Sequence, residues 1–153
     1  MDGFRAKRDE LQALVEQVKD WVAGGVPEEE IAVAARSGGS LDAATQAFER
    51  AGIPSTRLTA DLPKGHGVRL GTMHRLKGVE FRCVALVDMD DDSVPLQWAI
   101  TDRKADAAQH DADVRRERCT AYVAATRARD DLWVGWSGKP SRFLKPLLGD
   151  ASA

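Results

Sequence analysis

The chain has 153 residues and a mass of 16.7 kDa, the size of one ordinary domain built around one hydrophobic core. Hydrophobic residues make up 43% of the sequence and charged residues 30%, as in typical globular proteins, and no apolar run approaches the ~20 residues that a membrane span needs. The net charge of −2 argues against coating of nucleic acid by bulk positive charge, so any such contact must be local. The first residues, MDGFRAKRDE, lack the apolar segment of a signal peptide, and we expect a cytoplasmic protein.

The two cysteines, Cys83 and Cys119, form no CxxC pattern and have no histidine at ligand spacing. Neither a zinc site nor a disulfide framework is therefore predicted. We expect both cysteines to be reduced residues of the core, and we expect no metal site within this chain.

The first third of the chain alternates between helix and strand patterns. Apolar residues recur every three or four positions across residues 5–23, which predicts an amphipathic helix ended by the glycines at 24 and 25. The run IAVAA that follows predicts a buried strand. Ser40 is predicted to cap the next helix, and Gly52 is predicted to end it.

The remaining elements follow the same alternation. After a loop over residues 53–67 with a short strand near residues 55–59, the runs VRLGT and CVALVD predict two strands. Residues 90–109 are acidic and irregular. A long helix over residues 111–129, a last strand at LWVGW and a helix-like segment at SRFLKPLL complete the chain.

Alternating strands and helices predict a mostly parallel sheet that is covered on both faces. In such sheets, ligands bind at the carboxyl ends of the strands. This rule draws attention to Arg36, the turn over residues 71–81, Asp88 and Ser137.

Three segments of the chain resemble a known family. IAVAARSGGSLDAATQAFERAGIP, VRLGTMHRLKGVEFRCVALVD and RRERCTAYVAATRARDDLWVGWS are similar, in that order, to motifs IV, V and VI of the superfamily 1 UvrD/Rep-like ATP-dependent DNA helicases. The pair TxHxxKGxEF and YVAxTRA is far more specific than a single short pattern. The resemblance implies an α/β, three-layer RecA-like (P-loop NTPase-like) domain with a mostly parallel sheet. Residues 1–153 would be the second RecA-like domain of a helicase motor.

The resemblance also assigns nucleotide contacts. In this family two RecA-like domains clamp one ATP, and an arginine reaching across the cleft stabilises the charge of the transferred phosphoryl group. Arg127, in the TRA of motif VI, is the predicted arginine finger, and Arg36 is a predicted second phosphate contact. Glu80 is the predicted ribose ligand. Without the motif context, each arginine would be assigned as an ordinary solvated surface residue.

The same resemblance implies contacts to single-stranded DNA at the turn after VRLGT. Gly71, Thr72, His74 and Lys77 are the predicted DNA-binding residues, with hydrogen bonds to phosphates or stacking on bases as the physical basis. Lys77 could equally pack structurally. Gly78 is predicted to serve the backbone of the turn.

Several aromatic residues admit both core and binding roles. Tyr122 and the alanines around it are predicted to pack the motif VI helix onto the sheet. Trp133 and Trp136 are also predicted to lie in the core, whereas Trp98 could stack on bases.

The sequence also departs from the family pattern. It contains no GxxxxGK[ST] and no strand ending in the DExx pair, so ATP and its Mg²⁺ would require an N-terminal Walker domain, and the chain alone should not hydrolyse ATP. Only about fifteen residues separate motifs IV and V, where UvrD and Rep carry a large subdomain. In motif VI, Arg115 and Arg116 replace acidic residues and Cys119 replaces an arginine.

Two alternatives stay open. Asp90 and Asp92 form a DxDxV pattern that resembles the nucleophile motif of Mg²⁺-dependent haloacid-dehalogenase-like phosphatases, although its position in the chain and the absence of a later acidic pair disfavour it. The domain could also be a non-catalytic RecA-like module that binds nucleic acid or a protein.

Overall fold

The computed structural model of the chain describes residues 1–59 and 65–149, so residues 60–64 of the predicted loop and the last four residues lie outside it. The six strands are β1 Asp2–Phe4, β2 Ile31–Ala35, β3 Ser55–Arg57, β4 Val68–Thr72, β5 Phe81–Leu86 and β6 Ala128–Ser137. The four α-helices are α1 Lys7–Ala23, α2 Gly38–Ala51, α3 Ala107–Ala125 and α4 Lys145–Leu148. Short 3₁₀ turns occur at Glu28–Glu30, Met73–Leu76 and Gln97–Ala99.

All six strands are parallel and form one sheet in the order β1-β6-β5-β2-β4-β3. The registers place Ala34 beside Gly71 of β4 and Leu86 of β5. Because the strands run the same way, their carboxyl ends share one edge of the sheet, the carboxyl edge, and their amino ends share the amino edge. The predicted parallel α/β sheet is confirmed.

The alternation of side chains along β2 explains why every residue of IAVAA is buried. Ile31, Val33 and Ala35 face a core cluster that includes α1 and α2, whereas Ala32 and Ala34 face a second cluster that includes α3 and the turn Met73–Leu76. A strand buried on both faces is apolar at consecutive positions.

Helix α2 begins earlier than predicted. The cap is Ser37, whose Oγ accepts the backbone N–H of Ser40 at 3.5 Å, so the assignment of Ser40 as the cap is wrong. The two glycines after Ser37 form the first residues of the helix, where their poor helix propensity misled the prediction. Gly52 ends the helix as predicted, with φ at +69°.

Helix α3 is shifted by four residues relative to the prediction of 111–129. Asp106 caps it by accepting the Gln109 N–H at 2.9 Å, and it ends at Ala125. The residues from Ala128 onward instead extend β6, because they pair with β5 from Phe81. Of SRFLKPLL, only α4 is helical, and the short strand β1 was not predicted at all.

The exposed face of α3 also differs from expectation. Tyr122 is 69% exposed and Cys119 is exposed, so neither is the core residue that was predicted, whereas Cys83 is buried. Trp133 and Trp136 are buried as predicted. No helix in the described ranges is long and apolar enough to cross a membrane.

Candidate functional site: two edges of the sheet

The segment between β4 and β5 connects the two edges of the sheet. Thr72 ends β4 at the carboxyl edge, and the chain then forms the turn Met73–Leu76. Met73 and Leu76 are buried and hold the segment against the sheet. Gly78 has a φ of +86°, which confirms its predicted conformational role. Glu80 follows at the amino edge, directly before β5.

Arg36 lies at the carboxyl edge, where it forms a buried ion pair with Glu117 of α3. The Arg36 Nε donates to Glu117 Oε2 at 2.8 Å and its Nη2 donates to Oε1 at 2.7 Å. The two side chains are 12% and 4% exposed. Arg36 is therefore not a solvated surface arginine, and its Nη1 has no partner among the described residues.

Glu117 also holds the loop that follows β5. Its Oε2 accepts the backbone N–H of Leu96 at 3.0 Å. Burial opposes the charge on Glu117, but the hydrogen bonds from Arg36 and Leu96 outweigh it and hold the pKa of the carboxyl below its usual range. Glu117 is thus an anion that joins β2, α3 and the loop after β5.

His74 lies in the field of this ion pair while remaining exposed. Partial burial and the nearby Arg36 guanidinium lower the pKa of the His74 imidazole, and the Glu117 carboxylate opposes that shift. His74 is therefore neutral at pH 7. It offers a hydrogen-bonding ring or a stacking surface rather than a positive charge.

The other predicted DNA-binding residues differ in accessibility. Thr72 is half-buried, and its hydroxyl has no hydrogen-bond partner within residues 1–59 and 65–149. Lys77 is exposed. Gly71 is buried, and a Cβ placed there would lie 3.0 Å from Leu58 Cδ1 and 3.2 Å from Leu76 Cδ1. The structure therefore gives Gly71 a packing role, and its contact to DNA stays a prediction.

Glu80 and Arg127 meet at the amino edge. The backbone N–H of Phe81, next to Glu80, donates to the carbonyl oxygen of Arg127 at 2.9 Å. The Arg127 Nε donates to Val123 O at 3.2 Å, and Nη2 donates to Thr126 Oγ1 at 3.3 Å. These bonds orient the guanidinium and leave Nη1 without a partner in the described part of the chain. Glu80 is exposed, and its neighbour Val79 is also 44% exposed.

The donors and acceptors at this edge fit a nucleotide. A free carboxylate accepts hydrogen bonds from ribose hydroxyls, and a guanidinium with unused N–H groups donates to phosphate oxygens. Within residues 1–59 and 65–149, no group of three or more metal-ligating side chains is present.

Arg36 is not brought together with Arg127. Arg36 follows the last residue of β2 and Arg127 precedes the first residue of β6, so they lie at opposite edges. The five residues of β2 separate these edges by about 16 Å. One nucleotide bound between Glu80 and Arg127 would have to extend past the whole strand to reach Arg36.

The DxDxV pattern forms a turn. Asp90 Oδ1 accepts the backbone N–H groups of Asp92 and Ser93 at 3.1 and 2.9 Å, as an aspartate does in an ordinary Asx turn. This local role accounts for Asp90 without a phosphatase nucleophile.

Sequence reasoning missed Glu117. The signal for it is a stripe at helical spacing, in which Asp113, Glu117, Ala121 and Ala124 are the buried residues of α3. Acidic residues on the otherwise small, buried face of a helix require buried partners. For Glu117, that partner is the guanidinium of Arg36.

Comparison with known proteins adds the family context. The family model of the UvrD-like helicase C-terminal domain matches residues 56–139. The putative ATP-dependent DNA helicase YjcD of Bacillus subtilis is 40% identical over 94 residues, which cover 56% of this chain and 12% of YjcD. The ATP-dependent DNA helicase PcrA of Staphylococcus epidermidis is 34% identical over 107 residues, covering 61% of this chain and 14% of PcrA. The ATP-dependent DNA helicase UvrD2 of Mycobacterium tuberculosis is 35% identical over 101 residues, covering 60% and 14%.

A solved structure supports the same fold. The C-terminal domain of a possible DNA helicase from Lactobacillus plantarum WCFS1 superposes with a TM-score of 0.68 at 18% identity, covering 93% of this chain and 75% of that chain. The match, together with the parallel sheet, shows an α/β RecA-like fold. The chain itself spans only a small fraction of the length of its curated relatives, 12% and 14% for the first two. Its family model match covers more than half of its residues, and the chain belongs to the UvrD-like helicase C-terminal domain family.

Proposed function

We propose that residues 1–153 form the second RecA-like motor domain of an ATP-dependent DNA helicase or translocase. In this proposal the chain supplies an arginine finger and a ribose contact to an ATP site that an N-terminal RecA-like domain completes. That partner domain carries the phosphate-binding loop and the Mg²⁺ ligands. The relatives named as ATP-dependent DNA helicases support the proposal.

The observation that carries the nucleotide assignment is the adjacency of Glu80 and Arg127. They lie far apart in sequence, but one backbone hydrogen bond ties their neighbourhoods together at the amino edge. Arg127 donates an unused N–H to the phosphate that is transferred, and Glu80 accepts from the ribose. When ATP is bound, its phosphoryl transfer develops the negative charge that a guanidinium stabilises.

The carboxyl edge is assigned to single-stranded DNA. Thr72 offers a free hydroxyl, and His74 offers a neutral imidazole beside the anchored guanidinium of Arg36. Lys77 adds an exposed positive charge. Arg36 was predicted to contact a nucleotide phosphate, but its position favours a phosphate of the DNA backbone instead, reached by Nη1 while Glu117 holds the other side of the fork.

The experiment uses the longer protein that contains both RecA-like domains and measures ATP hydrolysis with and without single-stranded DNA. Arg127→Ala is expected to lower the DNA-stimulated kcat by about a thousandfold or more, the range found for arginine fingers. The matched control is Arg129→Ala, because Arg129 is exposed at the same edge and pairs with Asp130 and Glu30. Unchanged turnover in Arg127→Ala would refute the finger assignment.

The same assay separates the roles of the other residues. Glu80→Ala is expected to raise KM for ATP while kcat stays close to wild type, since a ribose contact is made equally in the ground and transition states. Arg36→Ala is expected to weaken DNA binding more than it slows hydrolysis at saturating DNA. Absence of any nucleotide-dependent activity in the two-domain protein would favour the non-catalytic binding module.

A further inference from the structure

A cleft rich in arginine lies beside the N-terminal half of α3. It has a volume of about 320 Å³. Four arginines and one histidine line it, with only one acidic side chain among the lining residues, which are Arg103, His110, Asp111, Val114, Arg115, Arg118 and Arg142. None of these residues takes part in the nucleotide or DNA contacts assigned above.

Two of the arginines are neutralised and two are not. Arg103 pairs with Asp111 at 2.8 Å, and Arg142 pairs with Asp91 at 2.8 Å. Arg115 and Arg118 form no ion pair with any residue of the described ranges. Like charges gathered in one cleft repel each other, so an uncompensated pair of guanidinium groups favours an anionic ligand.

The cleft is held in shape by its surroundings. Asp91 accepts three hydrogen bonds from Arg142, through the backbone N–H and the side-chain Nε and Nη2, at 3.0, 2.8 and 3.2 Å. The guanidinium of Arg118 lies 5.4 Å from the centre of the Phe143 ring. His110 is fixed through Nδ1, which lies 2.8 Å from Thr101 O and must donate to it because a carbonyl only accepts. Preorganised donors bind an anion with little ordering cost.

The position of the cleft indicates its ligand. It lies beside the start of α3 and the loop after β5, both at the carboxyl edge of the sheet. That loop is tied to Arg36 through Glu117, which binds Leu96 and Arg36 together. Trp98, two residues further along the loop, is 83% exposed. The cleft therefore lies at the same edge of the sheet as the residues assigned to DNA, and the loop that contributes Arg103 to the cleft also carries this exposed aromatic residue. Positive charge together with an exposed aromatic ring is the combination that binds flexible single strands.

We propose that this cleft binds the phosphate backbone of a nucleic-acid strand beyond the contacts at Thr72 and His74. Arg115 and Arg118 donate to phosphate oxygens, while Arg103 and Arg142 stay paired with Asp111 and Asp91 at the rim of the cleft. The inference rests on the DNA-facing assignment of the carboxyl edge. The inference extends that assignment to Arg115, which stands where the family pattern has an acidic residue.

The test measures binding of a fluorescently labelled oligothymidine to the 153-residue chain by anisotropy, over a series of salt concentrations. Arg115→Gln is expected to weaken binding about threefold to tenfold. The double variant, Arg115→Gln with Arg118→Gln, is expected to weaken binding further. Each lost phosphate contact lowers the slope of log K against log salt by about 0.7 for single strands. Arg115→Lys should restore most of the affinity because it restores the charge. Arg50→Gln, an exposed arginine on α2 across the sheet, is the matched control.

The outcomes separate the cleft from the rest of the edge. Wild-type affinity and slope in Arg115→Gln and in the double variant, with a loss in His74→Ala, would overturn the cleft and keep the DNA-facing edge. A loss in Arg115→Gln with no effect of His74→Ala would support the cleft and refute the contact at His74. Failure of the wild-type chain to bind would overturn both. Displacement of the oligonucleotide by equimolar inorganic tripolyphosphate would show a small-anion site and overturn a strand-binding cleft. Circular dichroism melting of each variant checks that the fold is retained.

Discussion

Arg36 and Glu117 form a two-pronged ion pair that joins the end of β2 to the middle of α3. The pair is largely shielded from water, so each ion depends on the other for compensation of its desolvation cost. Since Arg36 and Glu117 are 81 residues apart in sequence, the pair also fixes where α3 lies along the sheet. The position of α3 sets where the chain leaves the helix, and therefore where Arg127 lies at the amino edge.

Glu117→Ala is expected to lower the free energy of unfolding by about 3–5 kcal/mol, because it leaves the Arg36 guanidinium buried without its partner. Arg36→Met combined with Glu117→Leu should lose much less, since neither ion then remains unpaired. Urea denaturation of Arg36→Met, Glu117→Leu and the double variant measures the coupling. Strictly additive losses would contradict a direct interaction.

Stability should fall in acid as the carboxylates of α3 gain protons. The backbone N–H of Thr101, its hydroxyl and the Gln109 amide lower the pKa of Asp113 to about 2, from its usual 3.8. A lowered pKa in the folded state means that the stabilising contribution is complete above the usual pKa and is lost as pH falls through about 2. Asp113→Asn should flatten the decline of the melting temperature between about pH 4 and pH 2. A decline in Asp113→Asn as steep as that of wild type would contradict the role of this carboxylate.

Gly78 offers a clean measure of the cost of backbone strain. Its φ is +86°, and a Cβ added there would meet no atom within 4 Å. Gly78→Ala is therefore expected to destabilise by about 1–2 kcal/mol through the backbone alone. Gly39→Ala is the matched control, because an added Cβ is equally free there and φ is ordinary for the start of α2. It should be stabilising by roughly 0.4–1 kcal/mol, and equal effects of the two substitutions in urea denaturation would contradict the strain argument.

Trp98 should matter for DNA and hardly at all for the fold. Because its side chain is 83% exposed, Trp98→Ala is expected to change the free energy of unfolding by less than about 0.5 kcal/mol. Loss of one stacked base should weaken oligothymidine binding roughly tenfold. Tyr122→Ala serves as the control, since Tyr122 is 69% exposed on the C-terminal half of α3 and does not line the arginine-rich cleft. Equal affinities of the two variants in anisotropy would contradict the stacking role.

The sequence was sufficient for the sheet but not for the ends of its elements. The fully apolar run at β2 and the alternation of strand and helix patterns led directly to a parallel sheet. The boundaries at Ser37 and Ala125 were missed because tertiary contacts override local propensity. Two glycines form the first residues of α2, and residues with good helix propensity belong to β6. The strand β1 was missed because its three residues are too few to show a period.

For the site, residue identities were easier to predict than residue relationships. The motifs pointed to Glu80 and Arg127, and the structure brings them to one edge. They also pointed to Arg36, but nothing in the local pattern shows that Glu117 occupies its guanidinium or that it lies at the other edge. Such relationships depend on how far each strand extends in the sheet, which is a long-range property. The exposure of Tyr122 also depends on long-range contacts, because Asp113 and Glu117 lie on the buried face of α3 and Tyr122 lies outside it.

The connection between β4 and β5 has almost no slack. From the pairing of Thr72 with Ala35 and of Cys83 with Ile31, Thr72 and Phe81 are about 20 Å apart along the strands and about 10 Å across two strand spacings, or roughly 22 Å directly. Even if every residue after the 3₁₀ turn were fully extended, the segment would reach only about 25 Å. A segment this close to its full extension is rigid and does not behave as a flexible loop. We therefore expect a displacement of His74 to be transmitted along this segment to Glu80.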